Sequence, residues 1–250
     1  MKWVASMDKC PRNRGFTLIE TVMVILIIGV IATVATMRMG ESMDTAKYDH
    51  TQSELNQIAY AIAGNPALFE EGSRSDFGYV GDVGALPGSL DDLVSNPGGF
   101  ATWNGPYLNT GISGDDYKRD GWGVLYGWAG TTVTSSGSGS SIQKQLAPNS
   151  AWLLSNSIEG YVVDGDNAGP GSTFSDSVVI RLNYPDGAGA TTWSTTNPGA
   201  DGSFSISGVP VGRHNLELIY IPGNDTLSHT VTVLPGRTSA LALTFPFDLW

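Results

Sequence analysis

Three histidines (His50, His214, His229) and one cysteine (Cys10) are the only imidazole and thiol metal ligands the chain offers. No pair of histidines has the HExxH spacing that sets two imidazoles on one helix face around zinc. No GxSxG turn presents a nucleophilic serine, and no P-loop offers backbone amides to a nucleotide phosphate. A Ser-His-Asp group assembled from distant positions is the one catalytic pattern a sequence leaves open, and His214 and His229 both fall in predicted strands. The expectation is a protein that is not an enzyme. Cys10 can form no intrachain disulfide, and no small-residue cleavage pattern leads up to it. The most demanding side chain is Glu20, the single charge in residues 16–37, FTLIETVMVILIIGVIATVATM. An ionised carboxylate in hydrocarbon is costly, so Glu20 calls for a positive partner, or else sits near enough to the interface to reach water or take up a proton.

The elements that must position these residues begin with that apolar run, which is long enough to cross a bilayer core of about 30 Å as a helix. Lys2, Lys9, Arg12 and Arg14, opposed only by Asp8, precede it; the positive-inside rule therefore keeps residues 1–15 cytoplasmic and exports the residues after Arg38. A secretory signal peptide would have a shorter apolar region followed by a small-residue cleavage site, whereas this run continues into a helical pattern and is retained. Leu55, Ile58, Ala59 and Ile62 recur at i, i+3, i+4 and i+7, a stripe that docks on a globular head. Gly64-Asn65-Pro66 ends the helix. One helix over residues 17–63 is predicted, roughly 70 Å long at about 1.5 Å per residue.

Residues 64–150 are loop-rich, with a short helix predicted at 89–94 and aromatic-rich strands later, a small α+β head. Beyond residue 157 short alternating runs at 158–163, 178–184, 203–206, 215–220, 229–233 and 240–245, separated by turn signals, predict an all-β sandwich over 157–245. The Ser/Thr/Gly run at 135–141 reads as a tether between head and sandwich, and the apolar stretch at 147–154 as a segment able to dock the two. The fold class is α+β. A net charge of -11 argues against nucleic acid as a partner.

Arg14-Gly15-Phe16-Thr17-Leu18-Ile19-Glu20, followed by the apolar run, resembles the type III signal of type IV prepilins and pseudopilins. The resemblance implies cleavage between Gly15 and Phe16 by prepilin peptidase, removal of residues 1–15 as a leader together with Cys10, and N-methylation of Phe16. It further implies self-assembly into a filament, with Glu20 paired to the amino terminus of a neighbouring subunit to set axial register, driven by an inner-membrane assembly platform and its ATPase. Where that family usually carries a proline that loosens the helix, this chain has Met37. The fragments Leu86-Pro87-Gly88-Ser89-Leu90-Asp91-Asp92-Leu93-Val94, Trp103-Asn104-Gly105-Pro106-Tyr107-Leu108 and Asp120-Gly121-Trp122-Gly123-Val124-Leu125-Tyr126 resemble, in order, the head of the type II secretion major pseudopilin. Calcium is held there in an acidic loop after the Asp-x-Trp-Gly stretch. Here Ser, Thr and Gly fill that place, which leaves Asp115, Asp116 and Asp120 as candidate calcium ligands beside the plainer reading of a solvated acidic loop.

Gly160-Tyr161-Val162-Val163-Asp164, Asp201-Gly202-Ser203-Phe204-Ser205-Ile206, Gly208-Val209-Pro210-Val211-Gly212 and Leu234-Pro235-Gly236 resemble the carboxypeptidase regulatory-like, or transthyretin-like, sandwich. The last lysine is Lys144, so a Lys-Asn isopeptide bond inside that module is excluded. These observations support two readings of function. One is a structural subunit of a type IV pilus-like or type II secretion pseudopilus filament, single-pass in the inner membrane before assembly and periplasmic or extracellular after it. The other is a minor or tip adhesin that binds glycan or protein through the β module, with Trp193 and Tyr184 as a stacking platform.

Overall fold

The computed structural model describes residues 15–110 and 116–250. Lys2, Lys9, Cys10, Arg12, Arg14 and Asp115 lie outside the described residues. Helix α1 (Leu18–Ala63) is unbroken, with no proline at Met37 to interrupt it. The chain divides into two compact units, one ending at Ala46 and one running Lys47–Trp250. In the first, every described residue is exposed. In the second, the last turns of α1 bury Leu55, Ile58, Ala59 and Ile62 together with Thr51 and Ala61, the apolar stripe predicted from spacing.

The helix stops where its carbonyls find other partners. Gly64 takes φ +78°, and a Cβ there would stand 2.3 Å from the main-chain oxygen of Asp76, so only glycine fits this left-handed cap. Arg74 then reaches across: its Nη2 donates to Ala63 O at 2.5 Å and Gly64 O at 3.1 Å, and its Nε to Asp76 O at 2.8 Å. A buried guanidinium at a helix C-terminus satisfies orphan carbonyls and meets the negative end of the helix dipole. Spacing along the sequence carries no sign of this cap.

The head continues with the hairpin β1 (Phe69–Glu70) and β2 (Ser73–Arg74), helix α2 (Gly78–Val83), and a 3-10 turn at Leu90–Leu93 where a short helix is predicted. Ser89 and Asp92 open that turn as a capping box, which fixes its start. Strands β3 (Gly127–Ala129), β4 (Thr132–Ser135) and β5 (Ile142–Gln145) form an antiparallel sheet in that order. Ile58, Ile62, Val80, Val83, Leu93, Val133 and Leu153 are central to the head core. Residues 135–141 are therefore not a tether. Ser135 pairs with Ile142 at the end of β4, and the run is a hairpin turn inside the head. Ser and Gly suit a tight turn as well as a flexible linker; the buried neighbours Val133 and Ile142 decide between them.

Helix α3 (Ala151–Leu154) buries Leu153 in the head and leads straight into β6 (Asn156–Val163). The sandwich is completed by β7 (Val178–Pro185), β8 (Thr191–Thr196), β9 (Ser203–Val209), β10 (Gly212–Tyr220), β11 (Asp225–Val233) and β12 (Thr238–Thr244). One sheet has the order β11-β10-β7-β8 and the other β12-β6-β9, with β12 parallel to β6. Between them lie Ile158, Val162, Ile180, Leu182, Ile206, Leu216, Leu218 and Leu243. Each predicted run falls within a strand, save that 240–245 runs one residue past the end of β12. Strand β8, TTWSTT, has no counterpart among those runs, because an edge strand of threonines shows no apolar alternation even though its residues favour extended backbone.

Head and sandwich share an interface. Val211, from the turn before β10, is fully buried in the head core, and its N–H donates to Leu153 O at 2.9 Å. Gly187 N donates to Val83 O, Ala101 N to Gly189 O and Gly236 N to Trp152 O. Arg213 on β10 pairs with Glu70 at 2.7 Å. A Cβ on Gly84 would meet Pro185 O at 2.3 Å, a measure of how closely the two backbones approach.

Candidate functional site

The N-terminal segment is built around its first helical turn. Gly15 has open space around it, and Phe16 is 76% exposed. Thr17 caps α1: its Oγ1 accepts from Glu20 N at 3.3 Å, and Glu20 Oε2 accepts from Thr17 N at a long 3.5 Å. This reciprocal pair is a capping box, and it sets the Glu20 carboxylate against the positive end of the helix dipole. The Thr17-x-x-Glu20 spacing is visible in the sequence, where the resemblance gives it the meaning of an assembly motif alone. Within one subunit Glu20 is first a helix cap.

The turns beyond it are apolar on every side, with a mean hydropathy of 2.6 over the most apolar stretch and no burial there. Their hydroxyls are satisfied inside the helix: Thr21 donates to Leu18 O at 2.9 Å, Thr33 to Gly29 O at 2.8 Å and Thr36 to Thr33 O at 2.9 Å. A helix whose polar groups are all bonded internally is one of the few structures that hydrocarbon tolerates. The element is long and apolar enough to cross a membrane.

Asp115 lies outside the described residues, and Asp116 opens a 3-10 turn, Asp116–Lys118. Asp120 is buried. Its Oδ1 accepts from Trp122 N at 3.0 Å and Val124 N at 2.9 Å, and its Oδ2 from Ser135 Oγ at 2.6 Å and Gly137 N at 3.0 Å. Burial works against its charge, but the bonds from Ser135, Val124, Gly137 and Trp122 outweigh that and hold the carboxyl below its usual range. With two donors on each oxygen, Asp120 does not fit a cation ligand; it clamps the β4–β5 turn to the Asp-Gly-Trp-Gly loop. Among the described residues no group of three or more His, Cys, Asp or Glu side chains is placed to hold a metal ion.

Residues 10–36 match the prokaryotic N-terminal methylation motif. The N-terminal segment thus carries an N-methylation motif of the kind found in type IV pilins. Over 93 residues the chain is 33% identical to type II secretion system core protein G of Xanthomonas campestris pv. campestris, covering 37% of this chain and 55% of that protein. It thus spans about half the length of this curated relative. Among solved structures, the Bacillus anthracis TIE protein aligns at 14% identity and a TM-score of 0.30, over 36% of this chain and 16% of its own. BcpA, the major pilin subunit of Bacillus cereus, aligns at 14% identity and a TM-score of 0.24, over 49% and 41%. Overlays this partial carry no argument about function.

The remaining chemical candidates are dispersed. His50 pairs with Glu54 at 3.2 Å. His214 is buried, with Nε2 2.8 Å from Pro210 O; a carbonyl can only accept, so Nε2 carries the proton. Trp193 and Tyr184 are not one platform. Trp193 lies opposite Asn183 and Tyr184 opposite Thr192, so adjacent positions send the two rings to opposite faces of the sheet. Trp193 stacks on Arg181, whose guanidinium is 4.6 Å from the ring centroid. Tyr184 packs edge-on against His214 at 6.1 Å.

Proposed function

We propose that this chain is a structural, non-catalytic subunit of a pilus- or pseudopilus-type filament. The observation that carries the reading is the methylation motif at residues 10–36, whose apolar part forms a capped helical stretch exposed on every side. Prepilin peptidase cleaves between Gly15 and Phe16, Phe16 is N-methylated, and residues 16–37 hold the subunit in the inner membrane with Lys47–Trp250 exported. The assembly platform and its ATPase then draw the subunit into a filament whose core is the packed apolar helices. Glu20, released from its long contact with Thr17 N, pairs with the methylated amino terminus of a neighbour; at ~4 Å and an effective dielectric of ~20 that attraction is about 4 kcal/mol before desolvation.

Intact-mass spectrometry of protein from cells with an active prepilin peptidase tests the reading. The expected mass is that of a chain beginning at Phe16 with one added methyl group, and Gly15→Leu should leave the full precursor in the membrane. A chain that keeps residues 1–15 in those cells, or a Gly15→Leu variant that is processed normally, overturns it.

A further inference from the structure

Strand β6 is the middle strand of the smaller sheet of the sandwich, and its exposed side chains are Glu159 and Tyr161. Tyr161 is 59% exposed. Its cross-strand neighbours are Ala242 on one side and Ser203 on the other, and those of Glu159 are Ala240 and Ser205. A large aromatic set across from only alanine and serine is not there to fill a core, and more than half of its surface stays open. Beside it runs a cleft of about 460 Å³, lined by Glu159, Tyr161, Thr196, Asn197, Ser203 and Ser205 among others, a volume within the range of small-ligand sites.

The lining is preorganised. Asn197 Nδ2 donates to Val178 O at 2.8 Å, which fixes the amide plane and keeps its carbonyl as an acceptor. Ser203 Oγ donates to Asp201 Oδ1 at 2.6 Å, so its lone pairs are the part left to accept. Hydroxyls, an amide and one carboxylate beside an aromatic ring match a ligand dense in hydroxyl groups that also has an apolar face, which is the chemistry of a sugar ring. The charges select further. The lining residues include no basic side chain, and the sandwich has only Arg181, Arg213 and Arg237 against an excess of acids. A phosphate, sulfate or uronate would meet a repulsive field.

We propose that this cleft is a binding site for one residue of a neutral glycan, with the sugar ring stacked on Tyr161 and its hydroxyls bonded to Glu159, Asn197, Ser203 and Ser205. The site is independent of the filament reading: it belongs to the sandwich alone, and it stands whether or not the chain assembles. Trp193 is not among the lining residues, although it shares strand β8 with Thr196.

The test uses the full chain in a detergent without a sugar headgroup, titrated with maltohexaose, cellohexaose and chitohexaose up to about 10 mM, a range that reaches millimolar affinity. Saturation-transfer NMR and calorimetry report binding. At least one of the three should bind. Tyr161→Ala should weaken that binding about tenfold or more, Glu159→Gln severalfold, and Tyr161→Phe, which keeps the ring, should hold it near the unmodified value. Trp193→Ala should leave it unchanged. Tyr161 is exposed, so equal melting temperatures for the variants are expected and separate lost binding from lost folding. Failure of all three oligosaccharides to bind overturns the proposal, as does full affinity in Tyr161→Ala, or loss in Trp193→Ala. Preferential capture of an oligolysine peptide by Glu159 also overturns it, because the cleft would then read charge.

Discussion

Removing the Asp120 carboxylate should do more damage to the head than removing any other single acid. Asp120→Ala strips an acceptor from Ser135 Oγ and Gly137 N across the β4–β5 turn, and from Trp122 N and Val124 N within its own loop. Ser135 is fully buried, so its hydroxyl has no water to turn to. Hydrogen bonds to a charged group are worth about 1.5–3 kcal/mol each, and they do not add fully. Counting only the two that cross to the turn, the loss is about 3–5 kcal/mol. Asp120→Asn keeps one oxygen but turns an N–H toward a donor, for a loss of about 2 kcal/mol.

Urea unfolding of the full chain in detergent, followed by tryptophan fluorescence, measures both. The pH dependence is a second readout. Because the folded carboxyl is held below its usual value, its stabilisation is complete above about pH 4, the unfolded value, and is lost as pH falls through the lower folded one. The gap between the unmodified protein and Asp120→Asn should therefore be constant at neutral pH and close in acid. A destabilisation by Asp120→Ala below about 1 kcal/mol, or a gap that persists undiminished in strong acid, would refute the clamp. Chelation separates the clamp from a cation site: EDTA should leave the unfolding midpoint unmoved, and a loss equal to that of Asp120→Ala would mean that the carboxylate holds a metal.

Glu20→Ala should leave membrane insertion intact or improved, since it removes the one charge of the apolar span, while incorporation into filaments falls; normal filament yield at normal membrane levels would sink the register role. Head and sandwich should unfold in a single calorimetric transition that weakens in mild acid. Burial holds the His214 imidazole below its ordinary value, with the Pro210 bond opposing in part, so its contribution is fully present above about pH 6.5 and is lost as pH falls toward the folded value. Two separated transitions would remove the shared interface, and a pH dependence unchanged in His214→Gln would remove the histidine's part in it.

How much of this is legible in the sequence depends on the range of the interaction. The α1 stripe, the Gly64 stop and most strands of the sandwich come from local periodicity and turn chemistry, and they stand where the spacing puts them. Contacts between distant residues leave no such trace. Nothing near Arg74 in the chain announces that it caps α1, and nothing near residues 135–141 says that Asp120 closes that turn, so a hairpin reads as a tether. Trp193 and Tyr184 group together by aromatic type, and pleating places them on opposite faces. Tyr161 does not stand out as a site residue in the sequence, because alternation alone assigns it to the outer face, and only its small cross-strand neighbours single it out.

Strands β6 and β12 run parallel and side by side, paired from Ser157 with Thr238 to Val163 with Thr244. The chain enters the sandwich from the head at the start of β6 and reaches the end of β12 at the opposite edge of the same ladder. A pull between α1 and anything attached beyond Thr244 therefore drags the two strands in opposite directions along their length. Every rung of the ladder is loaded together, so the pair must shear as a block and cannot peel open one bond at a time. Lifetime under tension is then governed by the rate of that rupture rather than by equilibrium stability, and a sandwich of modest thermodynamic stability can still hold against a sustained mechanical load.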